Sequence, residues 1–370
     1  MTKSPAPHNI IIMIGQLAHG GSERQLFYFL RHCDRNRWTP IVCVSGELGY
    51  WEAPLRALGV QVILLNGSRL RKLATLRQIC RSTGARCFFS WSSYTNAFAG
   101  ALFGIGMQRI GSFRNADYAD LPRRLRPLWK FLCLRSIRVA VCNSRETYNT
   151  IAALSHADVI FVPNAVDVYS PEQVRTHRTH WRQALGVRED QILIVGVGRI
   201  APQKNFGRFI DAIGLARGVD SIRAVIAGRD FGERRDLEIR ARMAGIDDII
   251  SFVGEVADAR ELICAADIFL LTSDFEGTPK VVLEAMSIGV ACVTTPVHGV
   301  DDLSEGGASL RVVDPDPKIL AGEILRLVGD AELRAQLGAN ARRLIRENFD
   351  PRSSADKLWA LCEVPEPMEA

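Results

Sequence analysis

The sequence lacks any apolar run long enough to cross a membrane. No stretch of its 370 residues reaches the roughly 18 apolar residues that a spanning helix needs, and the run at residues 10–14 is far shorter. Residues 1–8 do not have the form of a signal peptide. We therefore expect a cytoplasmic protein whose contact with a membrane would be peripheral, at the inner face of the plasma membrane.

The cysteines lack the spacing of a metal site or a disulfide framework. There are nine, an odd number, scattered singly without a C-x₂-C pair, and many lie in apolar runs such as residues 41–44. This pattern is typical of reduced, buried thiols in a cytosolic protein. Internal repeats and low-complexity tracts are also missing, and the length predicts two domains with ample cores.

The charge is distributed unevenly although the net value is only +5. Residues 1–168 carry 21 Lys and Arg against 9 Asp and Glu, a balance of +12, whereas residues 169–370 carry 25 against 32, a balance of −7. Such asymmetry indicates an anionic partner for the first half. The basic residues are densest in a set formed by Arg109, Arg114, Arg123, Arg124, Arg126, Lys130, Arg135, Arg138 and Arg145.

One part of this basic region has two interpretations. Read as a helix, it places four apolar residues on one face and Arg124, Arg126 and Lys130 beside or opposite that face; the apolar residues are Leu125, Leu128, Trp129 and Leu132. The helix either packs on a core or docks on an anionic lipid surface. Nucleic acid is not a predicted partner, because the basic residues lie in helices between strands, without a recognised module.

Short β-rich runs alternate with amphipathic helical stretches along most of the chain. The alternation predicts an α/β fold of two successive doubly wound units, each with a parallel sheet. We place the domains at residues 1–168 and 169–349. The polar residues 169–188 are predicted to be a linker with a short helix, in which His177 and His180 are solvated and do not bind metal.

The most informative segment lies at residues 273–286. A strand-like run precedes it, and a helix is predicted to begin at Pro279 with Thr278 as its N-cap. Glu276 lies before the helix and Glu284 lies inside it. The helix rises roughly 7 to 8 Å from Pro279 to Glu284. A nucleotide sugar over the helix start could therefore offer hydroxyls to both carboxylates, and its diphosphate would lie at the helix N-terminus.

Five further segments accompany this E-x₇-E pattern, at residues 20–24, 162–167, 198–205, 227–228 and 252–254. Together the six resemble, in order and spacing, the retaining glycosyltransferases of the GT-B fold, glycosyltransferase family 4. The resemblance extends from Ile10 to about Trp359. It implies two Rossmann-like domains facing across a cleft that holds the ligand, with residues 350–370 crossing back to the first domain.

The resemblance also implies roles for individual residues. Glu276 would bind the donor sugar near the reacting centre, Glu284 would grip the ribose, and Arg199 and Lys204 would clamp the diphosphate, which gains charge as the sugar leaves. We therefore predict Glu276, Arg199 and Lys204 as catalytic. The predicted donor-binding residues are Gly20, Gly21, Arg114, Asn164, Gly198, Gly228, Val253, Gly277, Thr278, Pro279, Lys280 and Glu284.

Three of these assignments leave an alternative open. Gly20 and Gly21 would form a loop that closes over donor phosphate or acceptor, with Ser22 capping the next helix. Asn164 would serve turn and hinge geometry more than chemistry. Arg114 stands where many members of the family carry a histidine that contacts the donor sugar, so the sugar's identity stays open.

The resemblance implies a retaining, metal-independent glycosyltransferase without a cofactor. It would move a hexose-type sugar from a UDP or GDP donor to a glycan or lipid-linked acceptor in polysaccharide or lipopolysaccharide synthesis. Asp314 and Asp316 form a D-x-D sequence, but the interleaved prolines favour a capping turn over a metal site. The alternatives are a sugar-nucleotide epimerase or phosphorylase, and a protein that binds sugar nucleotide or an anionic surface without turnover.

Overall fold

The computed structural model describes residues 6–18, 20–114, 126–219, 221–276 and 279–363. The chain divides into two compact units, one formed by the residues up to Ala165 together with those from Pro351, the other by Val166–Asp350. This division falls slightly before the predicted boundary after residue 168. The reason is that the Val166 N–H donates to the Phe349 carbonyl (3.0 Å) and its side chain packs in the second unit's core.

The first unit contains a parallel sheet in the order β3-β2-β1-β4-β5-β6-β7. The strands are β1 (His8–Ile14), β2 (Trp38–Val44), β3 (Gln61–Leu64), β4 (Cys87–Ser90), β5 (Gln108–Phe113), β6 (Val139–Cys142) and β7 (Asp158–Phe161). The connecting helices are α1 (Gly21–Arg31), α2 (Glu52–Ala57), α3 (Arg69–Ser82), a 3₁₀ helix (Ser93–Leu102), α4 (Arg126–Arg135) and α5 (Arg145–Leu154).

The second unit contains a parallel sheet in the order β10-β9-β8-β11-β12-β13. The strands are β8 (Ile192–Val197), β9 (Ile222–Ala227), β10 (Ile250–Gly254), β11 (Ile268–Leu271), β12 (Ala291–Thr294) and β13 (Arg311–Val312). The α-helices are α6 (Pro171–Ala184), α7 (Phe206–Ala216), α8 (Arg234–Met243), α9 (Ala259–Ile263), α10 (Lys280–Ile288), α11 (Asp301–Ser304), α12 (Pro317–Gly329) and α13 (Ala331–Asn348). The predicted fold class, two doubly wound parallel α/β units, is confirmed.

A last helix, α14 (Pro351–Cys362), belongs to the first unit. Its Trp359 stacks on Phe29 of α1, with ring centroids 4.1 Å apart, and donates its indole N–H to the Phe29 carbonyl at 3.1 Å. Both rings are buried in the core of that unit. Burial of aromatic surface of this size is a large stabilising term, so α14 is an integral part of the first unit.

The polar segment predicted as a linker with a short helix is built into the second unit. Helix α6 lies within it, and Ser170 and Gln173 form a capping box at its start. Arg178 and Arg182 pair with Asp267 at 2.7 and 3.0 Å. The polar composition was misleading because both arginines bind a largely buried carboxylate and nearby carbonyl groups, and the Arg182 side chain is only 10% exposed.

The nine cysteines are free thiols, and eight of them are buried. Burial raises the pKa of Cys43 to about 12, so that thiol stays protonated at neutral pH. The predicted burial is confirmed for eight of the nine thiols, and Cys33 is half-buried. Within the described ranges, no helix is both long and apolar enough to span a membrane.

Candidate functional site

The order of the second sheet creates a switch point beside β8. Strand β8 lies between β9 and β11, so the chain leaves β8 toward one side and later returns to pair on the other. Ligands of open parallel sheets bind at the carboxyl ends of the strands at such a point. Arg199 and Lys204 follow β8, Gly228 follows β9 and Glu276 follows β11, so the fold brings these predicted site residues to one edge.

Two of the predicted catalytic residues form an ion pair. Lys204 Nζ donates to Glu276 Oε1 at 2.6 Å, and the two side chains are only 11% and 12% exposed. Ser273 Oγ donates to the same carboxylate oxygen at 2.7 Å. Among the described residues the second oxygen, Oε2, accepts no hydrogen bond. One side of the carboxylate is therefore anchored, and the other is available for a ligand hydroxyl.

The loop that carries Lys204 is fastened to the loop that carries Glu276. Gln203 Nε2 donates to the Phe275 carbonyl at 2.8 Å, and the Gln203 carbonyl accepts from the Asp274 N–H at 3.0 Å. Thr272 Oγ1 donates to the Lys204 carbonyl at 3.1 Å. The two loops that carry Lys204 and Glu276 are thus held together by one backbone hydrogen bond and two side-chain hydrogen bonds to backbone carbonyls.

Asn205 shapes the turn after Lys204. It has a left-handed backbone (φ 46°), and its side chain accepts from the Arg208 N–H at the start of α7. Asparagine is among the residues that adopt this conformation at least cost. Arg208 in turn donates to the Thr272 carbonyl at 2.7 Å and pairs with Asp274 at 2.8 Å. These contacts hold the start of α7 against the loop after β11.

Backbone atoms line the strand ends beside the Lys204–Glu276 ion pair. Gly228 has φ +153°, and a Cβ there would lie 1.7 Å from the Gly198 carbonyl oxygen, so this position requires glycine. The Gly228 N–H donates to the Gly254 carbonyl at 2.7 Å. Val253, next to it, is half-buried at the end of β10. Three adjacent strands thus end in a surface that a ligand can approach closely.

Helix α10 begins one residue later than predicted. Pro279 is its N-cap, with ψ 93° outside the helical range, and its carbonyl accepts from the Val282 N–H. Lys280 is therefore the first helical residue. Glu284 lies on the buried side of α10 and is 9% exposed. Gly277 and Thr278, including the predicted Thr278 cap, lie outside the described residues.

The predicted residues of the first unit form a separate group. Arg114 donates from Nε to the Trp91 carbonyl and from Nη1 to Asn164 Oδ1, each at 3.2 Å, and its guanidinium lies 4.4 Å from the centroid of the Trp91 ring system. Asn143 Nδ2 donates to the same Asn164 oxygen at 3.3 Å. Desolvation lowers the pKa of Arg114 to about 10, against the opposing charge of Glu23, so the guanidinium remains charged at neutral pH.

The start of α1 differs from the prediction. Gly20 is the N-cap, Ser22 lies inside the helix and no side chain caps it, so the assignment of Ser22 as the cap is wrong. The carboxylate of Glu23 folds back over Gly20: a Cβ there would lie 2.2 Å from Glu23 Oε2. The chain's own carboxylate thus lies beside the positive end of α1. The Ser22 carbonyl accepts from Trp91 Nε1 at 2.9 Å.

The D-x-D sequence forms a capping turn, as predicted. Asp316 is the N-cap of α12 and accepts from the Lys318 N–H at 2.7 Å, while Asp314 Oδ1 accepts from the Asp316 N–H at 3.0 Å. The described part of the chain contains no cluster of three or more His, Cys, Asp or Glu side chains suited to a metal ion. The two aspartates thus have a local structural role.

The predicted apolar face of α4 is divided between the core and the surface. Trp129 stacks on Tyr94 with centroids 5.2 Å apart and donates to its carbonyl at 3.0 Å, so it packs on the first unit's core. Leu128 and Phe131 are instead 60% and 55% exposed. Arg123, Arg124 and Leu125 lie outside the described residues. The exposed face of α4 is therefore formed by residues 128 and 131.

Several residues that contact Lys204, Glu276 or their loops were not predicted from the sequence. They are Ser273, Gln203 and Arg208. Ser273 could have been found from its position directly after β11 and three residues before Glu276. Gln203 and Arg208 act across loops far apart in sequence, and no local pattern marks them.

The second unit matches a known family. Residues 177–344 match the model described as glycosyl transferases group 1. The lipopolysaccharide core biosynthesis mannosyltransferase LpsB of Rhizobium meliloti is 27% identical over 247 residues, covering 64% of this chain and 68% of LpsB.

A second relative spans nearly the whole chain. It is the Campylobacter jejuni GalNAc-alpha-(1->4)-GalNAc-alpha-(1->3)-diNAcBac-PP-undecaprenol alpha-1,4-N-acetyl-D-galactosaminyltransferase, 24% identical over 371 residues, covering 96% of this chain and 98% of the relative. Among solved structures, Anabaena HepE in complex with UDP-glucose has a TM-score of 0.79 at 21% identity, covering 95% of this chain and 98% of HepE. Residues 177–344 therefore correspond to the glycosyl transferases group 1 model, and the chain is a glycosyltransferase with the GT-B fold.

Proposed function

We propose that this enzyme moves a hexose-type sugar from a UDP- or GDP-sugar to a hydroxyl of a glycan or lipid-linked acceptor, with retention of configuration and without a metal or other cofactor. The observation that carries the proposal is the position of Lys204 against Glu276, with Arg199 on the same loop, at the switch point of the second sheet. Cations suited to a diphosphate thus lie next to a carboxylate suited to sugar hydroxyls.

Charge development supports these roles. As the bond between sugar and diphosphate breaks, negative charge grows on the departing oxygen, and nearby cations lower the barrier most where that charge appears. Lys204 and Arg199 would supply this stabilisation. Since Glu276 Oε1 already accepts from Lys204 and Ser273, the carboxylate is better arranged to bind hydroxyls than to attack carbon. A route on one sugar face, in which the departing diphosphate takes the acceptor proton, fits this arrangement.

The relatives favour a role in cell-surface glycan synthesis. LpsB is named for lipopolysaccharide core biosynthesis, and the Campylobacter enzyme is named for a glycan on undecaprenyl diphosphate. The HepE crystals contain UDP-glucose. We extend this to the present enzyme as polysaccharide or lipopolysaccharide synthesis at the cytoplasmic face of the membrane. The basic first unit and the exposed Leu128 and Phe131 on α4 support a peripheral contact there.

A thermal-shift screen against UDP- and GDP-sugars, followed by an assay with glycan acceptors, tests the proposal. A bound donor at 100 times its Kd should stabilise the protein by about 2.7 kcal/mol. The anomeric configuration of the product, read by NMR, should match that of the donor. An inverted product, or no response to any nucleotide sugar, would contradict the proposal. Epimer formation without acceptor would indicate an epimerase, and binding without turnover would indicate a binding protein.

A further inference from the structure

An exposed phenylalanine between two arginines lies at the rim of the second unit's carboxyl edge. Phe231 follows β9 and is 55% exposed. The guanidinium carbons of Arg199 and Arg229 lie 5.9 and 5.7 Å from the centroid of its ring. Cation–π contacts of this kind orient a guanidinium without neutralising it. Two positive charges are thus held close together on one aromatic side chain.

The backbone fixes this arrangement. The Ile200 N–H donates to the Arg229 carbonyl at 2.8 Å, and the Phe231 N–H donates to the Ile200 carbonyl at 2.9 Å. These bonds form a parallel bridge between Ile200 and Asp230, beyond the ends of β8 and β9. The two arginines therefore leave adjacent, hydrogen-bonded segments, and their proximity follows from the sheet.

Neighbouring cations are paired with carboxylates, whereas Arg199 donates to the neutral amide oxygen of Gln203 at 2.9 Å. Lys204 pairs with Glu276, and Arg208 pairs with Asp274. Asp230 is next to Arg229 in the sequence. Desolvation acts to raise the pKa of its carboxyl group, but three donated hydrogen bonds from the backbone N–H groups of residues 232–234 lower that pKa overall. Within the described part of the chain, neither Arg199 nor Arg229 is paired with a carboxylate.

We propose that Arg199 and Arg229, held on the ring of Phe231, bind a phosphate group of a substrate. The inference rests on the proposed function and adds Arg229 and Phe231 to the site. The planar guanidinium fork matches phosphate oxygens, and the contact with the ring reduces the ordering needed on binding. The phosphate belongs either to the diphosphate of the nucleotide sugar or to a lipid-linked acceptor.

Calorimetry on the full chain distinguishes these sources. The probes are UDP, uridine and, on the UDP-saturated protein, farnesyl diphosphate. The variants are Arg229→Gln and Phe231→Leu, with Arg242→Gln as the control, because Arg242 is an exposed arginine on α8 whose substitution changes the charge equally. Arg229 and Phe231 are exposed, so we expect both variants to fold, which circular dichroism checks.

If the donor supplies the phosphate, Arg229→Gln weakens UDP binding by about tenfold and leaves uridine binding unchanged. If the acceptor supplies the phosphate, the affinity of Arg229→Gln for UDP is unchanged and its affinity for farnesyl diphosphate falls by a similar factor. Phe231→Leu should bind the same phosphate probe more weakly than the wild type, but by a smaller factor than Arg229→Gln. Arg242→Gln should bind both probes as the wild type does. Affinities for both phosphate probes within twofold of wild type in Arg229→Gln would overturn the site alone. A wild-type protein that binds no UDP would contradict the proposed function and this site together.

Discussion

Lys204 Nζ lies 2.6 Å from Glu276 Oε1, although 72 residues separate them in the sequence. One residue follows β8 and the other follows β11, and these strands are neighbours in the sheet. The cation that we propose for the diphosphate and the carboxylate that we propose for the sugar are therefore in contact. The bond to be broken in the donor joins those same two groups, so the pair marks the place where we expect transfer to occur.

Replacement of Glu276 should separate donor binding from transfer. Glu276→Gln keeps the size of the side chain and the contact with Ser273, but it removes the charge that orients sugar hydroxyls. We expect the rate of transfer to fall by about 10²- to 10³-fold, while nucleotide binding stays within severalfold. Initial rates and calorimetry with UDP measure the two effects.

Asp274→Asn is the matched control for that experiment. Asp274 is a more exposed carboxylate in the same loop and pairs with Arg208. Its amide replacement keeps a hydrogen-bonding side chain there, so activity should stay within severalfold of wild type. Transfer by Glu276→Gln at a rate comparable to the wild type would refute the assignment of Glu276.

The buried ion pair predicts a rescue of stability without a rescue of activity. Lys204→Met leaves a carboxylate that is 12% exposed without its cation, and breaking such a pair costs about 3–5 kcal/mol. The melting temperature of the second unit should fall by roughly 6–20 °C. Lys204→Met with Glu276→Gln should recover most of that loss, because no unpaired charge remains.

Activity and donor affinity should stay low in both of these proteins, since the diphosphate has lost a cation. Differential scanning calorimetry and donor titrations on the same samples give the comparison. Unchanged donor binding and rate in Lys204→Met would refute a phosphate role for Lys204. A double variant no more stable than Lys204→Met would show that the pair does not carry the stability.

The sequence predicted the architecture because its signals are local and repeated. Alternation of apolar runs with amphipathic helices was enough to predict two parallel sheets. It was only partly right for residues 169–188, where polar composition predicted a linker with a short helix and the 14-residue α6 instead packs into the second unit. Arg182 and its contacts with Asp267 show why: a charged residue can be buried when a distant carboxylate satisfies it, and composition does not reveal the partner.

The site was only partly predictable for a similar reason. Glu276, Arg199 and Lys204 stand in segments with recognisable spacing, whereas their contacts cross between loops. Neither the Lys204–Glu276 pair nor the contact of Phe231 with Arg199 follows from sequence distance. The capping error at Ser22 arose because the preference of serine for N-caps is general, while Gly20 and the folded-back Glu23 are specific to this turn.

Activity should survive removal of divalent metal ions. Arg199 and Lys204 would carry the charge stabilisation, and both aspartates of the D-x-D sequence act in a capping turn. We expect rates in EDTA to equal those in Mg²⁺. Asp316→Ala should lower the stability by about 1 kcal/mol through the lost N-cap without creating a metal requirement. A complete loss of activity in EDTA that Mg²⁺ or Mn²⁺ restores would contradict this prediction.

The face of α4 should bind anionic membranes. Leu128 and Phe131 are exposed one helical turn apart, and the Arg135 guanidinium lies 5.5 Å from the centroid of the Phe131 ring. An apolar pair beside basic residues is typical of an interfacial helix. Each basic residue near an anionic surface contributes about 1 kcal/mol, which salt weakens.

We therefore expect co-sedimentation with vesicles that contain phosphatidylglycerol, but not with phosphatidylcholine vesicles alone. Leu128→Ser with Phe131→Ser should remove the apolar contribution, and Lys130→Gln with Arg135→Gln should lower binding mainly at low salt. Leu215→Ser is the matched control, since Leu215 is an exposed leucine (54%) on α7 of the other unit. Equal binding to both kinds of vesicle at low salt would remove the electrostatic part of the prediction. No binding to either would favour an acceptor that is reached in solution.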